Sequence, residues 1–257
     1  IERPAVQPRT RPAWPRSRGV LTALIGLAVA SAALFLTWGV DGHWDFALPR
    51  RLEQLAALAV VGVAVAVSTV IFHTLTENHI LTPSIMGFDA LYVLLASSLV
   101  FVIGANAYQA IPDLTLFAIN ATMLVTAATL LYRWVLADGR RGLQTLVLVG
   151  VIAGTLFGSV SSFMFRVMDP NEFDRLMTTL FATFSNIDTA ALGIGSALLV
   201  AALVATWKMA PVLDVLTLGR ERAISLGVDY RPVVTRLLVI VACLVAVSTA
   251  LVGPITF

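Results

Sequence analysis

Long apolar runs separated by short polar breaks set the pattern of this chain. Crossing about 30 Å of hydrocarbon at 1.5 Å rise per residue takes roughly 20 apolar residues. Stretches of that kind recur at residues 20–40, 55–75, 84–103, 114–136, 143–163, 187–207 and 232–252. They predict about seven membrane-spanning segments. These must be helices, because a backbone amide in lipid finds its partner within its own segment, and the alternation of a membrane barrel is missing. The expected fold class is an all-α polytopic membrane protein.

The polar breaks orient the spans. Arg3, Arg9, Arg11, Arg16 and Arg18 precede the first span, Arg140 and Arg141 follow the fourth, and Lys208, Arg220, Arg222 and Arg231 lie between the sixth and seventh. If the spans alternate, all of these fall on one side. The other side holds Arg50, Arg51, Arg166 and Arg175. The excess of arginine places the N-terminus and the loop 208–231 in the cytoplasm. Residues 1–18 form a basic arm, rich in proline, expected to be disordered or to lie on anionic headgroups. Residues 19–257 form the transmembrane domain. The run after the arm is too long for the core of a signal peptide, so it reads as a retained span. A chain that begins at Ile1 and stops at Phe257 within an apolar stretch is expected to be part of a longer protein.

Composition agrees. Of 257 residues, 58% are hydrophobic and 12% charged, with a mean hydropathy of +0.90; soluble domains carry about 25% charged residues. A net charge of +2 gives no basis for nucleic-acid binding. Cys243 is the single cysteine, which excludes an internal disulfide and a paired-cysteine metal site.

Several breaks carry local signals. Leu48-Pro49-Arg50-Arg51 closes the first external loop, where proline suits the first turn of the second span. Arg50 and Arg51 are either interfacial anchors or a docking point for an acidic partner. In the stretch from Asn78 to Gly87, Asn78 and Pro83 break the helix and Pro83 restarts it, which predicts a tight cytoplasmic re-entry. His73 is expected to cap or hydrogen-bond within the bundle, and with His79 it falls short of a metal-ligand set. Asp89, early in the third span, faces either the bundle interior or the interface. Asn120, Thr122 and Thr126, with Ser159, Ser161 and Ser162, are candidates for a polar lining or for helix–helix contacts. Gly150, Gly154 and Gly158 form a ladder of small residues that permits close backbone approach. Asp169-Pro170, supported by Glu172, predicts a capped helix, and the apolar stretch 172–184 that follows is too short to cross.

The longest polar break in the second half is residues 213–230. No GxxxxGK[ST] phosphate loop occurs in the chain, so any ATP hydrolysis belongs to another chain. Motifs of an intramembrane enzyme are absent too. A secondary transporter calls for ionisable residues in mid-membrane and an inverted repeat; mid-span charges are nearly absent and no repeat is evident.

Several of these stretches, in order, resemble the permease subunits of ABC importers for iron-siderophores and cobalamin. Leu48-Pro49-Arg50 is similar to the family's opening of the second span. The stretch from Asn78 to Gly87 resembles its Asn-Pro-Leu-Ala-x-Pro-x-x-x-Gly turn, with His79 replacing the first proline. Leu216, Leu218, Gly219, Ala223, Leu226, Gly227 and Val228 match its cytoplasmic Leu-x-Leu-Gly-x-x-x-Ala-x-x-Leu-Gly-Val run. Gly253-Pro254-Ile255-Thr256-Phe257 looks like its Gly-Pro-Ile-x-Phe segment. Departures fall at Ala47, where the family usually has arginine, and at Leu91-Tyr92, where it has Gly-Ala. The variant Ser84-Ile85-Met86-Gly87, with the stretch from Asp169 to Phe173, resembles the branch importing ferric catecholate siderophores.

The resemblance implies a roughly ten-helix permease whose last spans lie beyond this chain. It implies a second permease, as homodimer or heterodimer, two cytosolic ABC ATPases and an extracytoplasmic siderophore-binding protein, all at the bacterial cytoplasmic membrane. This chain itself is expected to hold no cofactor, ATP and magnesium sitting on the ATPase. Leu216, Leu218, Ala223 and Leu226 would fill a groove on the ATPase, with Arg220, Glu221 and Arg222 on its rim. Gly219 and Gly227 would end short helices by positive φ. Arg50, helped by Arg51, would meet a carboxylate of the binding protein. Asp89, Asn120, Ser159, Ser161 and Ser162 would line the translocation path.

Overall fold

A computed structural model describes residues 17–39, 44–137, 143–185 and 187–255. The basic arm expected at 1–18, except the helical backbone of its last two residues, lies outside the described residues, as do Arg140, Arg141, Thr256 and Phe257. The chain forms two compact units, Ile1–Leu55 and Ala56–Phe257.

The first unit contains α1 (Ser17–Thr37) and the opening of α2 (Trp44–Thr76). The last carbonyls of a helix have no partner inside it. Here Arg51 supplies one: its Nη1 donates to the carbonyls of Phe35 (2.9 Å), Leu36 (3.3 Å) and Trp38 (2.7 Å), and the guanidinium lies 5.9 Å from the Phe35 ring centre. The loop expected to close at Arg51 ends earlier. Helix α2 starts at Trp44 and carries Pro49 inside it rather than in its first turn. Asp45 sits in that first turn, where a carboxylate complements the helix dipole.

The second unit holds the rest of α2, a 3-10 turn at Pro83–Met86, α3 (Phe88–Ile103), α4 (Ala105–Gln109), α5 (Asp113–Ala137), α6 (Leu143–Val167), α7 (Pro170–Leu180), α8 (Thr189–Leu216), α9 (Arg220–Ser225) and α10 (Tyr230–Val252). Among the described residues, six helices are long and apolar enough to cross a membrane: Gly19–Thr37, Ala47–Thr76, Asp113–Val135, Leu143–Val167, Thr189–Leu216 and Tyr230–Val252. The span expected at 84–103 differs. Pro83 opens a 3-10 turn, and Gly87 at φ +82° breaks it, leaving α3 with 16 residues. At 1.5 Å per residue α3 covers about 24 Å, and the four-residue 3-10 turn before it adds about 8 Å. Residues 83–103 together therefore have the length of the expected crossing, built as a broken helix and not a continuous one.

Helix α10 is the axis of the second unit, packed against α5 and α8. Leu237, Leu238, Val241, Ala242, Leu244, Val245 and Ala246 are all buried, covering every face, as in a helix central to a bundle. Ile71, Phe72, Leu124 and Tyr132 pack in the same core. A second, smaller core joins α3, α4 and α7 through Ala96, Val100, Tyr108, Met168 and Leu176. The capped helix expected after Met168 is α7: the Asp169 carboxylate accepts from the Asn171 N–H (2.8 Å), with Pro170 in the first turn. Glu172, expected to support that same cap, reaches across instead and accepts from the Ala105 N–H at the start of α4 (3.4 Å). Arg175 donates to Asn106 and adds a second tie between α7 and α4.

Candidate functional site

The polar break at 213–230 is less loop than the sequence implied. Helix α8 runs on through Pro211 to Leu216, because Val212, Leu213 and Val215 pack on the core. One short helix, α9, then sits between two glycines, Gly219 at φ +93° and Gly227 at φ +87°. Both occupy the region that costs an L side chain strain. The N–H groups of Gly227 and Val228 close the helix on the carbonyls of Ile224 (3.0 Å) and Ala223 (3.1 Å).

Two residues expected on the partner-facing surface are internal. Leu216 is 3% exposed and Ala223 fully buried, both within the main core, since α9 lies flat against α8 and α10. They root the helix and do not present it. The exposed apolar face comprises Leu218, Leu226 and Ile224, with exposures of 48%, 63% and 49%. Ile224 was missed because the sequence motif runs through leucines and glycines and gives no weight to the position between them. Glu221 and Arg222 are exposed beside this face. Arg220 lies 5.4 Å over the Tyr230 ring, a cation–π contact that ties the start of α9 to α10.

The chain between α2 and α3 packs beside α9. Glu77 takes φ +52° as the helix ends, and the Asn78 carbonyl oxygen Oδ1 accepts from the Ile80 N–H (2.9 Å), turning the chain. A Cβ placed on Gly219 would lie 3.6 Å from a Glu77 carboxylate oxygen, so the carboxylate sits against the N-terminus of α9. His73, in the last turn of α2, packs edge-on to His79 with ring centres 5.6 Å apart; its Nε2 is buried and has no hydrogen-bond partner among the described residues, so the expected hydrogen bond is not seen at that nitrogen.

From Asn78 the backbone climbs back into the bundle. Thr82, Ser84 and Asp89 border a cleft of about 220 Å³ with Ser68 and Thr69 of α2 and Ser248 and Thr249 of α10. Ser68 is eight residues before the end of α2, about 12 Å along the helix. Asp89 therefore faces the bundle interior, the first of the two sequence alternatives. The same three residues border a second cleft of about 620 Å³, whose far wall is α6 with Thr155, Ser161 and Ser162. Irregular backbone at such depth is tolerated where it lines a cavity. Ser159 lies on an adjoining groove shared with Thr155, Ser162 and Arg166.

Asn120 does not join this lining. It is 2% exposed, its Oδ1 lacks a partner among the described residues, and it borders neither of these two clefts. Asn120 is on the buried face of α5, a position that polarity alone does not distinguish from a lining one.

Glycines set the distance between the 3-10 turn and α6. A Cβ on Gly87 would meet the Gly154 Cα at 2.6 Å, and one on Gly150 would meet the Met86 Cα at 2.9 Å. These two steps of the ladder are a backbone contact, whereas Gly158 has open space around it beside the larger cleft.

Residues 19–257 match the model of the FecCD transport family. The chain is 41% identical over 242 residues to a petrobactin import system permease protein, YclO of Bacillus subtilis, covering 94% of this chain and 76% of that protein. It is 38% identical over 243 residues to another, FatC of Bacillus anthracis, covering 93% and 69%. A solved structure described as an inward-facing conformation of a metal-chelate type ABC transporter superposes with a TM-score of 0.77 over 93% of this chain and 76% of its own, at 19% identity.

Proposed function

The chain belongs to the FecCD transport family, and from that membership we infer how it serves as the membrane-embedded permease of an iron-siderophore importer. It is a multi-pass ABC import permease, and the ATPase activity resides in a partner subunit. Its cargo is a ferric catecholate siderophore of the petrobactin kind, the class imported by its relatives. A second permease copy or sister chain, two cytosolic ATPases and an extracytoplasmic siderophore-binding protein complete the machine.

The observation that carries the mechanism is the split of α9 into a rooted side and a free side. Ala223 and the adjoining Leu216 are fixed in the core, while Leu218, Ile224 and Leu226 stand exposed with Glu221 and Arg222 beside them. Large exposed apolar groups next to charges are the composition of a docking patch. Arginine placement puts this patch in the cytoplasm. ATPase closure pushes α9, and its burial against α8 and α10 transfers the push to those helices. Contact with Glu77 passes it to the 77–87 segment, and Gly87 against Gly154 hands it on to α6. Helices sliding and tilting as rigid bodies then open and close the clefts at Asp89, Ser161 and Ser162, with Ser159 along the adjoining groove. By the family resemblance Arg50 meets an acidic group on the binding protein, while Arg51, bonded to the last carbonyls of α1, holds the hairpin.

Replacing Ile224 and Leu226 together by Asp tests this. The variant is expected to insert normally and to lose co-purification of the ATPase. Retained ATPase binding would take α9 out of the interface.

A further inference from the structure

We propose that a crevice between α3, α5 and α6 is a phospholipid site, taking an acyl chain of the cytoplasmic leaflet and setting an anionic headgroup against Arg133. The crevice measures about 310 Å³ and is walled by Met86 of the 3-10 turn, Phe88 and Leu91 of α3, Leu130 and Trp134 of α5, and Phe157 of α6. Only two side chains of its lining carry an N–H or O–H group, Trp134 and Tyr132, and the Tyr132 hydroxyl is buried with no partner among the described residues. A buried water takes about two to four polar partners, so this lining does not hold a water-filled space. Left empty, it would forfeit the dispersion contacts of every atom around it. Its occupant is therefore apolar.

The place where the crevice opens identifies that occupant. Leu130 and Trp134 are both more than half exposed and stand one helical turn apart on one face of α5, a membrane-spanning helix. The opening is thus on the flank of a span, where the molecule at hand is a lipid tail. From Ala127 to Trp134 the lining covers about 10 Å of the α5 axis, running inward from near the helix end at Ala137. Arginine placement puts that end at the cytoplasmic surface. Arg133 shares the exposed face with Leu130, three residues on, and lies within about 6 Å of the helix end, at headgroup level. Among the described residues its guanidinium has no ion pair and no hydrogen bond. An unpaired cation at the mouth of an apolar crevice complements both parts of an anionic phospholipid. Gly87, whose backbone meets Gly154 of α6, also lines the crevice, so the tail braces the turn where it packs on α6. The inference rests on α5 and α6 being membrane spans and not on the cargo.

The test purifies the complete transporter in detergent, supplies phosphatidylglycerol and phosphatidylcholine in equal amounts, and counts bound lipids by native mass spectrometry. Wild type is compared with Ala127→Phe, which fills the crevice from a half-buried position of its lining, and with Arg133→Gln. Wild type is expected to retain one phospholipid more per copy of this chain than Ala127→Phe. Phosphatidylglycerol should be preferred about fivefold, the effect of one basic side chain at an anionic surface. In Arg133→Gln the lipid should remain and the preference fall to near one. Equal lipid counts on wild type and Ala127→Phe would overturn the crevice as the site, and an unchanged preference in Arg133→Gln would overturn the headgroup contact. Loss of the second permease from Ala127→Phe, with the lipid count per copy unchanged, would assign the crevice to a contact between permeases and overturn the lipid. A second readout does not depend on how Ala127→Phe folds. The Trp134 fluorescence, taken as the difference between wild type and Trp134→Phe, should be quenched by tail-brominated phosphatidylglycerol diluted in phosphatidylcholine vesicles. An unquenched difference would overturn the site. Neither readout requires transport, so a failed uptake assay bears on the cargo alone.

Discussion

Replacing Gly87 by alanine is expected to damage the fold more than a single-methyl change on the glycine ladder of α6 that it packs against. Two costs add. The φ of +82° disfavours an L residue by about 1–2 kcal/mol. The new Cβ would then stand 2.6 Å from the Gly154 Cα and 2.9 Å from its nitrogen. Those are backbone atoms of α6, which cannot swing aside as a side chain would, so the turn and the helix must separate, at about 1–3 kcal/mol for overpacking. A total near 3 kcal/mol corresponds to a fall of about 6–12 °C in midpoint for a domain of this size. The control is Gly158→Ala, which meets nothing within 4 Å and sits in a helix, where alanine is the better residue. Thermal unfolding of the purified protein in detergent, followed by circular dichroism, reads both. Equal midpoints for Gly87→Ala and Gly158→Ala would refute the backbone contact between the turn and α6.

Leu216→Asp should prevent folding, because it introduces a charge into the main core, while Leu218→Asp should fold and lose only ATPase association; size-exclusion profiles and pull-downs distinguish the two. Arg51→Ala leaves three carbonyls at the end of α1 without their donor and should cost about 1.5–3 kcal/mol locally, visible as faster hydrogen exchange in the last turn of α1. Arg50→Glu should weaken binding-protein docking more at low salt than at high salt, measured by surface binding across an ionic-strength series. Asp169→Ala removes the cap of α7 and should lower stability by about 1 kcal/mol, measured by urea unfolding.

Much of this structure was legible because lipid makes strict demands. Helix length against bilayer thickness located six long helices, and proline with glycine marked the re-entry at Pro83–Gly87. Positive φ at Gly219 and Gly227 agrees with what the family resemblance implies for them. What failed was facing. Leu216 and Leu226 are both leucines of the same motif, and only the way α9 lies on α8 and α10 buries the first and exposes the second. Asn120 and Ser161 are both polar residues in spans, yet of the two Ser161 borders the larger cleft beside Asp89 and Asn120 does not. Low amphipathicity removes the usual guide, since lipid-facing and core-facing positions are equally apolar. The bonds of Arg51 were illegible for a different reason: its partners are backbone carbonyls, invisible to any reading of side-chain patterns.

Uptake is the most direct test of the central claim. Proteoliposomes holding the complete transporter should accumulate radiolabelled iron from a ferric siderophore only when ATP is supplied to the ATPase side. Accumulation should vanish with Ile224→Asp combined with Leu226→Asp. Accumulation that proceeds at the same rate without ATP, or that survives the loss of both exposed α9 side chains, would contradict an importer driven through this helix.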